Sequence, residues 1–123
     1  MGLHVLVVDD DFINRKLLQN ILKRNESIFE IIEAENGSEA LEKVEENPQI
    51  NMILLDIMMP VVNGIEFLEK FRANMKYAHI PVIVLSTDDS RKTEAFDYGA
   101  DDFLRKPVKE DELFSKINQW LSQ

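Results

Sequence analysis

Val5-Leu6-Val7-Val8-Asp9-Asp10 is a short apolar run that exits into two carboxylates. Three later stretches repeat the form: Leu54-Leu55-Asp56-Ile57-Met58-Met59-Pro60, Val82-Ile83-Val84-Leu85-Ser86 and Phe103-Leu104-Arg105-Lys106-Pro107. Apolar runs of this length read as buried strands. Their exits are carboxylates twice, then a hydroxyl, then an ammonium. Folding alone does not need a polar group at the exit of every buried strand. If the strands are parallel, all four exits share one edge of the sheet, where open α/β sheets hold their ligands. The chemistry is expected around Asp56.

Between these strands the hydrophobic period changes. A helix is expected from about Phe12 to Asn25, with Leu17, Leu18, Ile21 and Leu22 as its apolar face. Phe29–Ala34 reads as a second strand. Asn36 and Asn63 each precede a glutamate by three residues (Glu39 and Glu66), a capping pattern that opens a helix. Phe67, Leu68 and Phe71 form the inner face of the helix after Asn63. A less apolar helix is expected over Ser90–Tyr98, stopping at Gly99. The last is expected over Glu110–Leu121, with Leu113, Phe114, Ile117, Trp120 and Leu121 inward. Five βα units with short connections predict an α/β fold, a doubly wound parallel sheet covered by helices on both faces.

Composition narrows the function. The chain has 123 residues, suited to one domain spanning 1–123, and 45% of them are hydrophobic. It has no cysteine, which removes disulfides and thiolate metal sites and fits a cytoplasmic protein. No apolar run approaches the roughly 18 residues of a spanning helix, and the first strand starts too early to leave room for a signal peptide. The net charge of −9 argues against direct nucleic-acid binding and is compatible with a divalent cation.

Asp9, Asp10 and Asp56 are expected to converge. Two unit charges about 5 Å apart repel by roughly 3 kcal/mol at an effective dielectric near 20. Such a cluster needs a counter-ion, and magnesium is suited to one or two carboxylates plus waters. Lys106 adds a second positive charge that neutralises an incoming phosphoryl group. Ser86 is placed to hydrogen-bond a phosphoryl oxygen. Asp56, at the end of the central strand, is the candidate carboxylate nucleophile. Asp11 is read as a helix cap. His4 and His79 are ordinary edge or surface histidines, and Trp120 is a packing residue.

Together these pieces resemble a receiver domain of a two-component response regulator, over essentially the whole chain. The matching residues are Asp9-Asp10, Asp56 in its Leu-Leu-Asp-Ile-Met-Met-Pro setting, Ser86, and Lys106-Pro107 after Gly99-Ala100-Asp101-Asp102. The intervals are 46 residues from Asp10 to Asp56, 30 more to Ser86 and 20 more to Lys106. The resemblance implies a flavodoxin-like five-stranded sheet of order 2-1-3-4-5 with five helices. It implies that Asp56 accepts a phosphoryl group from a phosphohistidine on a sensor histidine kinase or histidine phosphotransfer protein. It assigns magnesium to Asp10, Asp56 and the backbone carbonyl of Met58, with Asp9 assisting through water, and it implies a cis Lys106-Pro107 bond. Ser86 would move toward the phosphoryl group and Phe103 would turn inward behind it, remodelling the surface of the fourth helix, fifth strand and fifth helix. Output would pass to a downstream protein or to an output domain outside this sequence, and a phosphorylation-dependent homodimer is compatible with the family.

Some positions depart from the commoner pattern. Thr87 stands where alanine or glycine is more usual, and its branched side chain narrows access to the phosphoryl group. Phe103 lacks the hydroxyl of the commoner tyrosine. Met58 and Asp88 fall where the family tunes dephosphorylation. Asp11-Phe12-Ile13-Asn14-Arg15 is similar to the first-helix entry of receivers in hybrid kinases. Two other functions are weighed. A phosphohydrolase with an aspartyl-phosphate intermediate wants a second acid two positions after the nucleophile, where this chain has Met58. A receiver-like scaffold that is never phosphorylated usually lacks one of the carboxylates or the lysine, and this chain keeps them all. The expected protein is a phosphoacceptor that assists its own phosphorylation and dephosphorylation, not a turnover enzyme.

Overall fold

A computed structural model describes residues 2–57 and 63–121, without the Leu121 side chain, so the inward orientation expected of Leu121 lies outside the described residues. Five strands and five α-helices alternate: β1 (Leu3–Val8), α1 (Phe12–Leu22), β2 (Ile28–Ala34), α2 (Gly37–Glu46), β3 (Met52–Asp56), α3 (Gly64–Arg72), β4 (Val82–Ser86), α4 (Lys92–Asp97), β5 (Asp102–Arg105) and α5 (Glu110–Leu121). The strands form one sheet in the order β2-β1-β3-β4-β5, and all pairings are parallel. The fold is the flavodoxin-like arrangement expected from the sequence.

Successive strand residues point to opposite faces, and the core divides accordingly. Leu6, Val8, Ile53, Leu55, Val82 and Val84 pack with α2 and α3 through Ala40, Val44, Phe67 and Phe71. Val5, Val7, Met52, Leu54, Ile83 and Leu85 pack with α1 and α5 through Leu18, Leu22, Leu113 and Ile117. Burial on both faces is the reason these strands read as continuous apolar runs instead of alternating ones.

The helices start where their capping residues require. Asp11 accepts hydrogen bonds from the Ile13 and Asn14 amides, Asn36 from Glu39 and Asn63 from Glu66. The Glu39 carboxylate returns to the Glu35 amide at 3.2 Å, one residue short of the reciprocal capping bond. Gly64 admits the close approach of α3 to β3. A Cβ there would strike the Cα of Ile57, and the Gly64 amide donates to the Ile57 carbonyl at 3.2 Å. This contact ties the start of α3 to the residue that follows Asp56.

Three expectations shift. Helix α1 ends at Leu22 with Lys23 as its cap, short of Asn25, because Asn25 turns its side chain to the Ser27 amide. Leu17 is 58% exposed, since α1 buries a narrow stripe through Leu18 and Leu22. The segment expected as one helix over Ser90–Tyr98 splits into a 3-10 turn at Asp89–Arg91 and a short α4, because Asp88 caps the turn. Gly99 has φ of 107°, the left-handed conformation that closes α4.

Two partly buried polar clusters tie the amino edge together. Arg72 donates to the carbonyls of Gly99, Tyr77 and Ile80 and to the Asp101 carboxylate, all within 2.9 Å. Asp102 accepts from the Trp120 indole at 3.0 Å and pairs with Lys116 at 3.0 Å. Trp120 therefore packs partly against the core and anchors β5 through its polar edge.

Two consequences are measurable. Gly64→Ala should lower the unfolding free energy by about 1–3 kcal/mol through overpacking against Ile57, read from the urea midpoint. Burial pushes the Asp102 carboxyl pKa up, but the Trp120 indole, the Lys116 ammonium and the Phe103 amide outweigh it and hold it below the usual range. Its contribution is therefore complete above the ordinary aspartate pKa of about 3.9 and is lost as pH falls through the lower folded value. The stability difference between wild type and Asp102→Asn should be flat near neutrality and shrink below about pH 4, with Trp120 fluorescence as a local reporter.

Candidate functional site

The sheet register assembles the site. Val8 pairs with Leu55, so Asp9 emerges beside Asp56. Asp56 pairs with Leu85, so Ser86 lies one residue beyond it. Ser86 pairs with Arg105, and the Lys106 amide donates to the Ser86 carbonyl at 2.8 Å. Four distant segments thus reach one edge of the sheet through backbone pairing.

Carboxylate oxygens of Asp9, Asp10 and Asp56 lie within 4.8 Å of one another. Asp9 and Asp56 are 4% and 6% exposed, while Asp10 faces solvent. The Lys106 ammonium stands 3.1 Å from Asp9 Oδ2 and 3.4 Å from Asp56 Oδ2. Burial pulls the Lys106 pKa down, but the charges of Asp56 and Asp9 outweigh it and raise it above the ordinary lysine range. The lysine is therefore fully charged at neutral pH. Asp9 Oδ1 accepts from the Asp11 amide at 2.9 Å, which pins that carboxylate from its other side.

Three carboxylates facing one ammonium leave a net charge of −2 in a partly buried pocket. Hard oxygen donors with that residual charge fit a divalent cation such as magnesium. Asp9, Asp10 and Asp56 are the side chains that could hold it. Met58, expected to contribute its carbonyl and to modulate dephosphorylation, lies outside the described residues, as do Met59 and Pro60.

The remaining candidates take different positions. Ser86 is buried, and its Oγ accepts from the Asp88 amide at 3.0 Å. Thr87 is exposed. Asp88 turns its carboxylate to Ser90, accepting from the amide at 2.9 Å and from the hydroxyl at 2.6 Å. Those Ser90 hydrogen bonds lower its pKa. Phe103, expected to turn inward on activation, is already buried in the core. A ring without a hydroxyl has no polar atom to keep in water, and the Lys92 ammonium covers it at 5.9 Å. The Lys106-Pro107 bond is cis. His4 pairs with Glu30 at 2.7 Å at the start of β1, at the opposite edge.

Sequence reasoning missed Phe12, Ile13 and Leu17, which are 57%, 62% and 58% exposed along α1 next to the acidic loop. Their signal was the width of the apolar set on α1, too broad for one buried stripe. It also missed Arg15, a buried cation whose guanidinium donates to the Asp9 carbonyl at 2.8 Å.

Residues 5–118 match the response regulator receiver domain family. The chain belongs to that family. It is 35% identical over 119 residues to the two-component response regulator ORR11 of Oryza sativa subsp. indica, covering 93% of this chain and 80% of that protein. It is 38% identical over 115 residues to the CpxR homolog, a transcriptional regulatory protein of Haemophilus influenzae, covering 92% of this receiver but 48% of the relative. The crystal structure of a putative response regulator from Chloroflexus aurantiacus superposes over 100% of both chains with a TM-score of 0.92 at 26% identity. The protein is thus a receiver of the two-component type. No helix among the described residues is long and apolar enough to cross a membrane.

The acidic edge of this receiver makes a prediction of its own. At 4.8 Å a carboxylate pair repels by about 3.5 kcal/mol at an effective dielectric near 20 and about 1 kcal/mol in bulk water. Because Asp10 is exposed, the lower figure governs it. Asp10→Asn should stabilise the fold in the presence of a chelator by about 1 kcal/mol, measured by urea denaturation. Magnesium should raise the stability of the wild type much more than that of the variant.

Proposed function

We propose that Asp56 is the phosphoacceptor of this receiver and takes its phosphoryl group from a phosphohistidine of a sensor histidine kinase or histidine phosphotransfer protein. The observation that supports this is the Lys106 ammonium set between Asp9 and Asp56, at 3.1 and 3.4 Å, with Asp10 completing an oxygen-rich pocket. An Asp56 oxygen attacks phosphorus as the P–N bond breaks, and the histidine leaves with the bonding electron pair. Asp10 and Asp56, assisted by Asp9, would hold magnesium, which when bound would stabilise the phosphoryl oxygens. Lys106 holds one phosphoryl oxygen by charge. Ser86 turns its hydroxyl proton toward another while its oxygen continues to accept from Asp88. The reaction is a single transfer to Asp56, later reversed by hydrolysis of the acyl phosphate, so the domain works as a phosphoacceptor switch.

The exposed face of α1 formed by Phe12, Ile13 and Leu17 supports docking of the phosphodonor, because an apolar patch at the mouth of the pocket seats a partner over Asp56. The output surface is assigned to α4, β5 and α5, which Ser86 reaches through the Asp88 turn. The proposed compartment is the cytoplasm, where such donors work. Output passes to a downstream protein or to an output domain outside this sequence.

Incubation with acetyl phosphate should label the wild type only when magnesium is present, and Asp56→Asn should abolish labelling. Labelling that persists in Asp56→Asn would remove the assignment. Leu17→Asp should leave acetyl-phosphate labelling intact and slow transfer from a phosphohistidine protein by about tenfold, the loss of one interface anchor. Equal slowing with both donors would show that α1 does not carry the docking.

A further inference from the structure

We propose that Arg15 is a positioning residue of the cation site, acting through the main chain of Asp9. The inference rests on the phosphoacceptor reading and extends it to a residue on the first helix. Arg15 is 5% exposed, and a charged group so deeply buried must be held by partners. Its Nη1 donates to the Asp9 carbonyl at 2.8 Å. Its Nε donates to Glu33 Oε1 at 3.0 Å, and its Nη2 lies 3.7 Å from Glu35 Oε1. The Phe12 ring covers the guanidinium at 5.6 Å.

The consequence follows from peptide geometry. The Asp9 carbonyl belongs to the planar unit that ends at the Cα of Asp10. Holding that carbonyl from α1 fixes the plane, and the plane sets the direction in which Asp10 leaves the strand. The Asp9 amide donates to the Ala34 carbonyl at 3.1 Å, so the residue is held from β2 as well. The Asp9 carboxylate has its own anchors in the Asp11 amide and Lys106. Asp10 is exposed and takes its position from this peptide. The planar fork of arginine suits the task, because it reaches the carbonyl and Glu33 at once.

Electrostatics makes the test sharp. Arg15 is a cation near a cation site, so its removal should tighten magnesium binding if charge alone mattered. Lost positioning predicts the reverse. Magnesium affinity of the wild type, Arg15→Met and Arg15→Lys should be measured by titration calorimetry, with the Asp10 amide resonance followed in parallel. Arg15→Met is expected to weaken magnesium binding by about tenfold, the lower end of the range for groups that orient metal ligands. Arg15→Lys keeps the charge but cannot span both acceptors, and its affinity should fall between the two. With acetyl phosphate, the magnesium concentration for half-maximal labelling should rise by the same factor while the rate at saturating magnesium stays near that of the wild type. Affinity in Arg15→Met within about twofold of the wild type, or tighter, would overturn the proposal, since orienting groups have larger effects. If Arg15→Met does not fold, Arg15→Lys decides by the same criterion. A wild type that binds no magnesium would overturn this inference and the phosphoacceptor reading together, whereas normal binding by the wild type with unaffected variants would overturn this inference alone.

Discussion

The structure turns on crowding of like charge at the carboxyl edge of the sheet. Oxygens from Asp9, Asp10 and Asp56 approach within 4.8 Å of one another, and Lys106 neutralises one of the three charges. A flexible chain would relax this repulsion by moving the acids apart. Here Asp56 is the last residue of the central strand and Asp9 follows directly on its neighbour, so hydrogen-bonded ladders hold them in place. The apolar cores on both faces of the sheet supply the stabilisation that sustains this arrangement. The electrostatic cost localised at this edge is what the proposed uptake of a divalent cation would relieve.

Much of this was legible in the sequence, for a definite reason. Strands buried on both faces must be apolar throughout, so Val5–Val8 and Val82–Leu85 announce themselves, and the polar residue at each exit marks the edge. The caps Asn36 and Asn63 were equally plain, because a side chain that satisfies an amide three residues later leaves a local signature. Strand order came from family resemblance, since right-handed crossovers alone do not select β2-β1-β3-β4-β5. Leu17 was misassigned because it lies four residues before the apolar Ile21, while the buried stripe of α1 runs through Leu18 and Leu22. Arg72 and Trp120 gave no local sign. The partners of Arg72 include Asp101, and that of Trp120 is Asp102, contacts set by tertiary packing without any periodic pattern. Arg15 resembles a surface cation in sequence, and its burial follows from the approach of α1 to Glu33 on β2.

Order is distributed unevenly around the pocket. The acidic side is clamped by β1, β3 and the guanidinium of Arg15. The Ser86 side leads into a 3-10 turn and a six-residue α4 whose N-cap lacks a side-chain hydrogen bond. Elements with few such supports open at low free-energy cost. On the proposed reading, the firmly held half would receive the phosphoryl group and the less supported half would respond.

Phe103 changes how that response can arise. An aromatic switch that must travel from solvent to core would couple its movement to phosphorylation. In this chain the ring already lies in the core beneath Lys92. A ligand shifts an equilibrium only by contacts that differ between its two states. A contact that can differ is the Ser86 hydroxyl, whose oxygen accepts the Asp88 amide at 3.0 Å while its proton makes only a long 3.5 Å hydrogen bond to the Asp88 carbonyl, one that a stronger acceptor would replace. A phosphoryl oxygen is such an acceptor. On the proposed reading, drawing Ser86 toward Asp56 would pull on Asp88, which caps the turn preceding α4. On the proposed phosphoacceptor reading, the switch would therefore work through a hydroxyl and a capping carboxylate two residues apart, with the buried aromatic ring behind them.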